Sequence, residues 1–164
     1  MEIRQLKETD DKMAISHIYE ESWRYAYQGI VPQDYLDQIP AGNWSAHLDV
    51  AERYTLVMVE QGRFIGTASY GPSRFEQWPD CGELISLYFL PDWIGKGYGR
   101  QLLAAALAEL AALGYTDIFL WVLADNHRAR RFYEKAGLLQ TEHIREDNIG
   151  GKVLRELQYR WQPQ

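Results

Sequence analysis

The chain has 164 residues, 46% hydrophobic and 24% charged, with a net charge of −6, the length and composition of an ordinary globular domain with its own core. No apolar run approaches the ~20 residues of a membrane span. "MEIRQLKETDD" lacks the basic-then-apolar layout of a secretory leader, and no broad basic stripe marks a nucleic-acid surface. The expectation is a cytoplasmic protein with neither membrane nor nucleic-acid partners.

Residues 1–7 read as a short strand. Thr9 or Asp10 is placed to cap a helix with its side-chain oxygen, and Ile15, Ile18, Tyr19, Ser22, Trp23 and Ala26 then recur at helical spacing. "QGIVP" (28–32) breaks that helix; a short one follows over 33–39, and a third over about 43–51. The period then changes. Residues 54–59 and 63–70 read as strands joined by a turn, 70–80 as a loop and 83–90 as a third hydrophobic strand. "GRQLLAAALAELAALG" (99–114) is the clearest helix, with an apolar stripe of Leu102, Leu103, Ala106, Leu107 and Leu110. "TDIFLWVL" (116–123) is almost wholly apolar, as in a strand covered on both faces. A helix over 127–137 and two strands, 138–146 and 152–160, complete the series. No repeat or linker interrupts it, so one domain over 1–164 with a mixed α/β sheet is expected.

Cys81 is the only cysteine. Internal disulfides are therefore excluded, no thiolate metal site is expected, and no metal of any kind is assigned. The first 60 residues hold 11 acidic and 5 basic side chains, and so carry the whole net charge. They read either as solvated helix faces or as an acidic surface that draws a cationic substrate.

"LPDWIGKGYGRQLL" (90–103) places Gly95, Gly97 and Gly99 between a strand and the strongest helix. A dinucleotide fingerprint would need a glycine where Arg100 stands, and a Walker P-loop pattern is absent. The remaining geometry gathers free N–H groups at the positive end of a helix dipole, a ready seat for phosphate or pyrophosphate. The same glycines also suit a tight turn with no ligand. Downstream, "ADNHRARRFYEKAGL" (124–138) carries Arg128, Arg130, Arg131 and Lys135 on one short helix, after Asn126 and with Tyr133 two turns on. In isolation Asn126 reads equally as a helix cap and Tyr133 as packing.

Together the two clusters resemble the GNAT superfamily of acyl-CoA-dependent N-acetyltransferases. "IGKGYG" (94–99) matches the family's Q/R-x-x-G-x-G/A loop, "NHRARRFYEKAGL" (126–138) its later signature and "ELISLYFLPDW" (83–93) its fourth strand. The one departure is Ile94, where the family usually has Gln or Arg. The resemblance implies a central, mostly antiparallel sheet flanked by helices, with strands 4 and 5 splayed to admit acetyl-CoA. It implies that backbone groups of the segment Leu87, Tyr88 and Phe89 pair with the pantetheine arm. The pyrophosphate would sit on the N–H groups of Gly95, Lys96, Gly97, Tyr98, Gly99 and Arg100. Asn126 would bond the pantetheine region, and Arg130 or a neighbouring arginine would approach the 3′-phosphate. Tyr133 is implied as the acid for the departing thiolate, and an N–H near Leu87 as the oxyanion donor.

Glu83 is the first choice of base, since strand alternation puts Glu83, Ile85, Leu87 and Phe89 on one side; it reads also as an ordinary charge at a strand start. Trp23 and Tyr27 form a wall for the acceptor, by cation–π attraction, or else simply belong to the core. The expected acceptor is a small cationic amine, a polyamine or a peptide amine. A non-catalytic acyl-CoA sensor with the same fold is the alternative, and a homodimer is compatible with either.

Overall fold

Seven strands form one sheet in the order β1-β2-β3-β4-β5-β7-β6 in the computed structural model, which describes residues 1–162. In chain order the elements are β1 (Glu2–Gln5), α1 (Lys12–Ala26), α2 (Gln33–Asp37), a 3-10 turn (Ser45–Asp49), β2 (Tyr54–Glu60), β3 (Arg63–Pro72) and β4 (Gly82–Phe89). A second 3-10 turn (Pro91–Trp93), α3 (Tyr98–Ala112), β5 (Ile118–Leu123), α4 (His127–Lys135), β6 (Leu139–Ile149) and β7 (Lys152–Trp161) complete the chain. Among the described residues no helix is long and apolar enough to cross a membrane.

The expected element order holds, with two local differences. Asp11, not Thr9 or Asp10, caps α1, accepting from the N–H groups of Met13 and Ala14. Asp10 is taken up by β1 instead: its carboxylate accepts from Arg4 at 2.8 and 3.0 Å. The third expected helix shrinks to the 3-10 turn. Its approach is pinned to α1 by the Trp44 N–H on Ser16 Oγ and the Gly42 N–H on Glu20.

The α3 stripe behaves as its spacing requires. Leu102, Leu103, Ala106, Leu107 and Leu110 are all buried, in one cluster with Ile118, Leu120, Val122, Leu157 and Tyr159 of the sheet. Burying each leucine stabilises the fold by roughly 1.5–3 kcal/mol. The opposite sheet face packs α1 and α2: Ile15 and Tyr19 meet Val57, and Leu36 lies with Leu123 and Leu154. β5 is therefore covered on both faces, by α3 on one and by Leu36 and the Phe75 and Trp78 rings on the other, as its continuous apolar run demands.

Two irregularities of β4 decide where its main chain and side chains point. The strand pairs in parallel with β5 only at Gly82↔Ile118 and Glu83↔Phe119. Beyond Glu83 the two strands part, and the β5-facing side of β4 has no ladder partner among the described residues. Against β3, Ser69 pairs with Ser86 but Tyr70 pairs with Leu84, so Ile85 is an extra, bulged residue that reverses the alternation of side chains.

The bulge overturns one expectation. Leu84, Leu87 and Phe89 lie toward the α3 cluster. Ser86 and Tyr88 face α1, where the Tyr19 and Ser86 hydroxyls approach at 3.5 Å. Glu83, one residue before Leu84, therefore shares the α1 face with Ser86 and Tyr88, not the face of Leu87 and Phe89.

Candidate active site

The glycine loop leaves the end of β4 through the Pro91–Trp93 turn. Gly95 and Gly97 adopt φ of 81° and 88°, a left-handed conformation that costs other residues roughly 1–2 kcal/mol. Gly97 is the N-cap of α3 and offers no side-chain cap, so the first N–H groups of a 15-residue helix are left for a ligand or solvent. Gly99 has a different reason to be glycine. A Cβ there would lie 3.1 Å from the Phe132 ring, so it permits the close packing of α4 on α3.

A cavity of about 830 Å³ runs from this loop, through the gap between β4 and β5, to α1 and the β6–β7 hairpin. Of the residues singled out from sequence, Leu87, Tyr88, Phe89, Gly95, Gly97, Gly99, Arg100, Asn126, Tyr133, Glu83, Trp23 and Tyr27 all line it. The Phe89 ring is buried in the core, so what β4 presents there is largely main chain. Lys96 and Tyr98 turn their side chains onto Trp93, at 5.3 and 5.6 Å from its ring centre; any part they have in the loop is through their N–H groups.

The arginines of α4 divide in a way their spacing did not reveal. Arg130 is engaged elsewhere: its guanidinium donates to Tyr159 Oη at 3.2 Å, the Ala124 carbonyl at 3.1 Å and Gln140 at 3.4 Å, and it does not line the cavity. Arg128 does. One of its terminal nitrogens lies 3.5 Å from where a Gly95 Cβ would be, and the other donates to Tyr25 Oη at 3.3 Å. Of the two, Arg128 is the guanidinium that overhangs the glycine loop, and it has no carboxylate partner among the described residues. Asn126 caps α4 by accepting from the Ala129 N–H at 3.3 Å, and its amide borders the cavity as well.

Tyr133 lines the cavity, where burial first and the nearby Tyr88 second push its phenol well above the ordinary value of 10. It therefore stays protonated across the physiological range. Burial acts the same way on Tyr27 and Tyr88. Tyr88 Oη accepts from Trp23 Nε1 at 3.1 Å, and the Trp23 and Tyr27 rings meet edge to face at 4.8 Å, forming an aromatic wall.

Glu83 is fully buried, and Arg74 holds it on both oxygens. Oε1 accepts from the Arg74 N–H at 3.0 Å and Nε at 3.1 Å, and Oε2 from a terminal nitrogen at 2.6 Å. The sequence reading did not anticipate this partner, which arrives from the loop after β3. It missed two further carboxylates, Asp147 of β6 and Glu156 of β7, which line the same end of the cavity beside Trp121 and Ile149. The signal was available: Arg145, Asp147 and Ile149 alternate along one strand, and Leu154, Glu156 and Gln158 along its hairpin partner. The cavity is thus polarised: Arg100 and Arg128 stand by the glycine loop, and Glu83, Asp147 and Glu156 line it on β4, β6 and β7 with Arg74 as the cation among them.

Comparisons with known proteins agree with this geometry. A family model described as the Acetyltransferase (GNAT) family matches residues 13–138. The chain is 34% identical over 166 residues to the uncharacterized N-acetyltransferase YuaI of Bacillus subtilis (strain 168), covering 97% of this chain and 91% of that protein. It is 25% identical to a spermidine N(1)-acetyltransferase of Thermoplasma acidophilum, covering 97% and 98% of the two chains. Among solved structures, yncA from Salmonella typhimurium, determined with its cofactor acetyl-CoA, shares the fold with a TM-score of 0.72 at 22% identity, over 99% of this chain and 93% of that one.

Proposed function

The chain belongs to the acetyltransferase (GNAT) family, and we propose that it moves the acetyl group of acetyl-CoA to a primary amine, a small cationic amine such as a polyamine before a peptide amine. The observation that carries this reading is the polarised cavity. Its cationic, N–H-rich end suits a pyrophosphate, the Tyr133 phenol lines it as a protonated hydroxyl, and its far end combines carboxylates with aromatic faces. The spermidine acetyltransferase among the relatives points to the same acceptor class.

Acetyl-CoA supplies an acetyl group activated as a thioester. The N–H groups of residues 95–100 and the Arg100 and Arg128 guanidiniums hold its phosphates. Main-chain groups of Leu87 and Phe89, left unpaired where β4 parts from β5, hold the pantetheine arm together with the Asn126 amide. The absence of a polar side chain at Ile94 leaves these main-chain donors unchanged. An N–H near Leu87 faces the developing oxyanion.

An alkyl amine reaches the cavity as an ammonium, since its pKa is about 10. A carboxylate takes one proton and passes it to solvent. The nitrogen lone pair forms the new C–N bond as the carbonyl π electrons move onto oxygen, and the tetrahedral intermediate then collapses, the C–S bond breaking with its electrons leaving on sulfur. Tyr133 Oη gives the sulfur a proton, and the second proton released by nitrogen restores the phenol through water. The balance is one amide, one free thiol and one proton to solvent. Glu83 serves as the carboxylate in this scheme only if Arg74 moves aside.

The first test is a thermal-shift titration with acetyl-CoA, free CoA and adenosine 3′,5′-bisphosphate, followed by thiol-release assays over a panel of amines. A ligand at 100 times its Kd stabilises the native state by about 2.7 kcal/mol, so a saturable rise in Tm is expected, with turnover on diamines and polyamines. A folded sample that shows no shift with any of the three refutes the reading.

A further inference from the structure

The carboxylates at the acceptor end are not equivalent. Glu83 already accepts three hydrogen bonds from Arg74 across both oxygens. Glu156 accepts one from a side chain: an Arg145 terminal nitrogen meets its Oε2 at 3.2 Å. The Arg145 guanidinium is itself drawn over two rings, 5.2 Å from the Phe75 centre and 5.8 Å from that of Trp121. Glu156 Oε1 has no donor among the described residues, although the side chain is only 13% exposed.

Its position follows from the register of the sheet. Glu156 stands opposite Leu123 of β5 and opposite Arg145 of β6, on the face that α1 covers, so it meets the cavity near Tyr27 and Trp121. Among the described residues Arg74 pairs with Glu83 and Arg145 with Glu156, while Asp147, beside Glu156, has no ion-pair partner, so the three carboxylates together carry one negative charge in excess. Trp23, Tyr27 and Trp121 add π faces, which attract a cation and cover an alkyl chain.

We propose that Glu156 docks the ammonium of the acceptor amine and takes its proton on Oε1, with the aromatic faces of Trp23, Tyr27 and Trp121 sheathing the alkyl chain behind it. This rests on the amine-acetylation reading above and assigns its base. The proton passes from nitrogen to Glu156 Oε1 and on to solvent, and the lone pair it leaves on nitrogen is the nucleophile. Burial foremost, and Asp147 beside it, push the Glu156 carboxyl above its ordinary value, against the pull of Arg145; this brings it closer to the range in which a base works at neutral pH. Tyr27 and Tyr88 both feel its negative charge. The other ionisable groups on this part of the cavity are Arg145 and Asp147 from β6, Glu83 from β4, Arg74 from the loop after β3 and Tyr133 from α4.

The experiment pairs calorimetry with kinetics. 1,4-Diaminobutane is titrated into the CoA-saturated wild type, Glu156→Gln, Glu156→Asp and Glu83→Gln, and kcat/KM is followed from pH 6 to 9 with acetyl-CoA. Glu156→Gln is expected to weaken diamine binding at least ~10-fold, to lower kcat/KM about 100-fold and to flatten its acid limb. Glu156→Asp, which draws the carboxylate back by one methylene, should retain most of the binding but lower kcat/KM about 10-fold, and Glu83→Gln should lose less binding than Glu156→Gln. The CoA-induced rise in Tm should be the same in all four, which certifies the fold. Should Glu156→Gln not fold, Glu156→Asp decides: an unchanged kcat/KM and pH profile there overturns the proposal.

Diamine binding and kcat/KM that Glu156→Gln leaves at wild-type values overturn the assignment while the transferase reading stands. So does a larger loss in Glu83→Gln than in Glu156→Gln. Diamine binding that depends on Glu156 but is accompanied by no thiol release refutes the transferase reading and leaves the ammonium site standing. No diamine binding to the wild type overturns the proposal.

Discussion

At one end of the cavity the groups proposed to meet the ligand are main-chain N–H groups of a single contiguous loop, Gly95 to Arg100. At the other they are side chains delivered by α1, β4, β5, β6 and β7. The loop end depends on local conformation: two positive-φ glycines and a helix start. Its donors belong to the backbone, so a side-chain change such as Ile94 leaves them in place. The acceptor end depends on register and on which charge partners which, and a single substitution there redirects the site. We therefore place the shared cofactor chemistry at the loop end and the individuality of this protein at the acceptor end.

The largest expected effect tests the boundary between the two. Tyr133→Phe should lower kcat by roughly 10²–10³-fold while acetyl-CoA still raises Tm as it does in the wild type. Unchanged turnover would remove the proton donor from the scheme, and absent turnover in the wild type itself would favour a binding-only protein. Next, Gly97→Val forces a β-branched residue into φ of 88°. A stability loss of about 1–2 kcal/mol and about tenfold weaker CoA binding are expected, read by thermal unfolding and calorimetry. Ile94→Gln is the counter-test: if main-chain donors dominate, CoA affinity should change less than about threefold.

A smaller effect separates the two α4 arginines. Arg128→Gln should weaken CoA several-fold with little change in Tm, because its guanidinium overhangs the loop and is exposed. Arg130→Gln should lower Tm and leave CoA affinity near wild type, because it removes the bonds to Tyr159, Ala124 and Gln140. The reverse pattern would assign Arg130 to the 3′-phosphate.

The smallest effect lies outside the cavity. The Arg4 side chain, bonded to Asp10, holds that carboxyl below its ordinary 3.8. A depressed folded-state pKa contributes stability that is present above 3.8 and lost as pH falls through the lower, folded value. Asp10→Asn should therefore lower Tm slightly at pH 7, and the gap from wild type should close in acid; a gap independent of pH would assign the loss to packing.

Much of the loop end was legible in the one-dimensional chain. The 3.6-residue stripe of α3, the apolar run of β5 and the glycines of residues 94–99 express local physics: helical period, burial on two faces, and φ values open to glycine. Those features and the α4 signature carry the family resemblance, which the family model bears out. Less of the acceptor end was legible. The wall of Trp23 and Tyr27 was named, but the face on which Glu83 lies was inverted by the bulge at Ile85, a property of two strands in register and not of either alone.

The sequence by itself determined the order of the elements, the helix start that leaves N–H groups free, and the protonated tyrosine two turns along α4. Each is set within a dozen residues of chain, by periodicity, by left-handed glycine or by residue type. Tertiary structure alone decided that Arg74 covers Glu83, that Arg130 turns to Tyr159 while Arg128 overhangs the loop, and that Glu156 reaches the cavity with one oxygen that meets no donor among the described residues. Those are contests between charges and hydrogen-bond partners drawn from distant segments, and they are resolved only when β5, β6 and β7 come into register and α1 closes over the same face of the sheet.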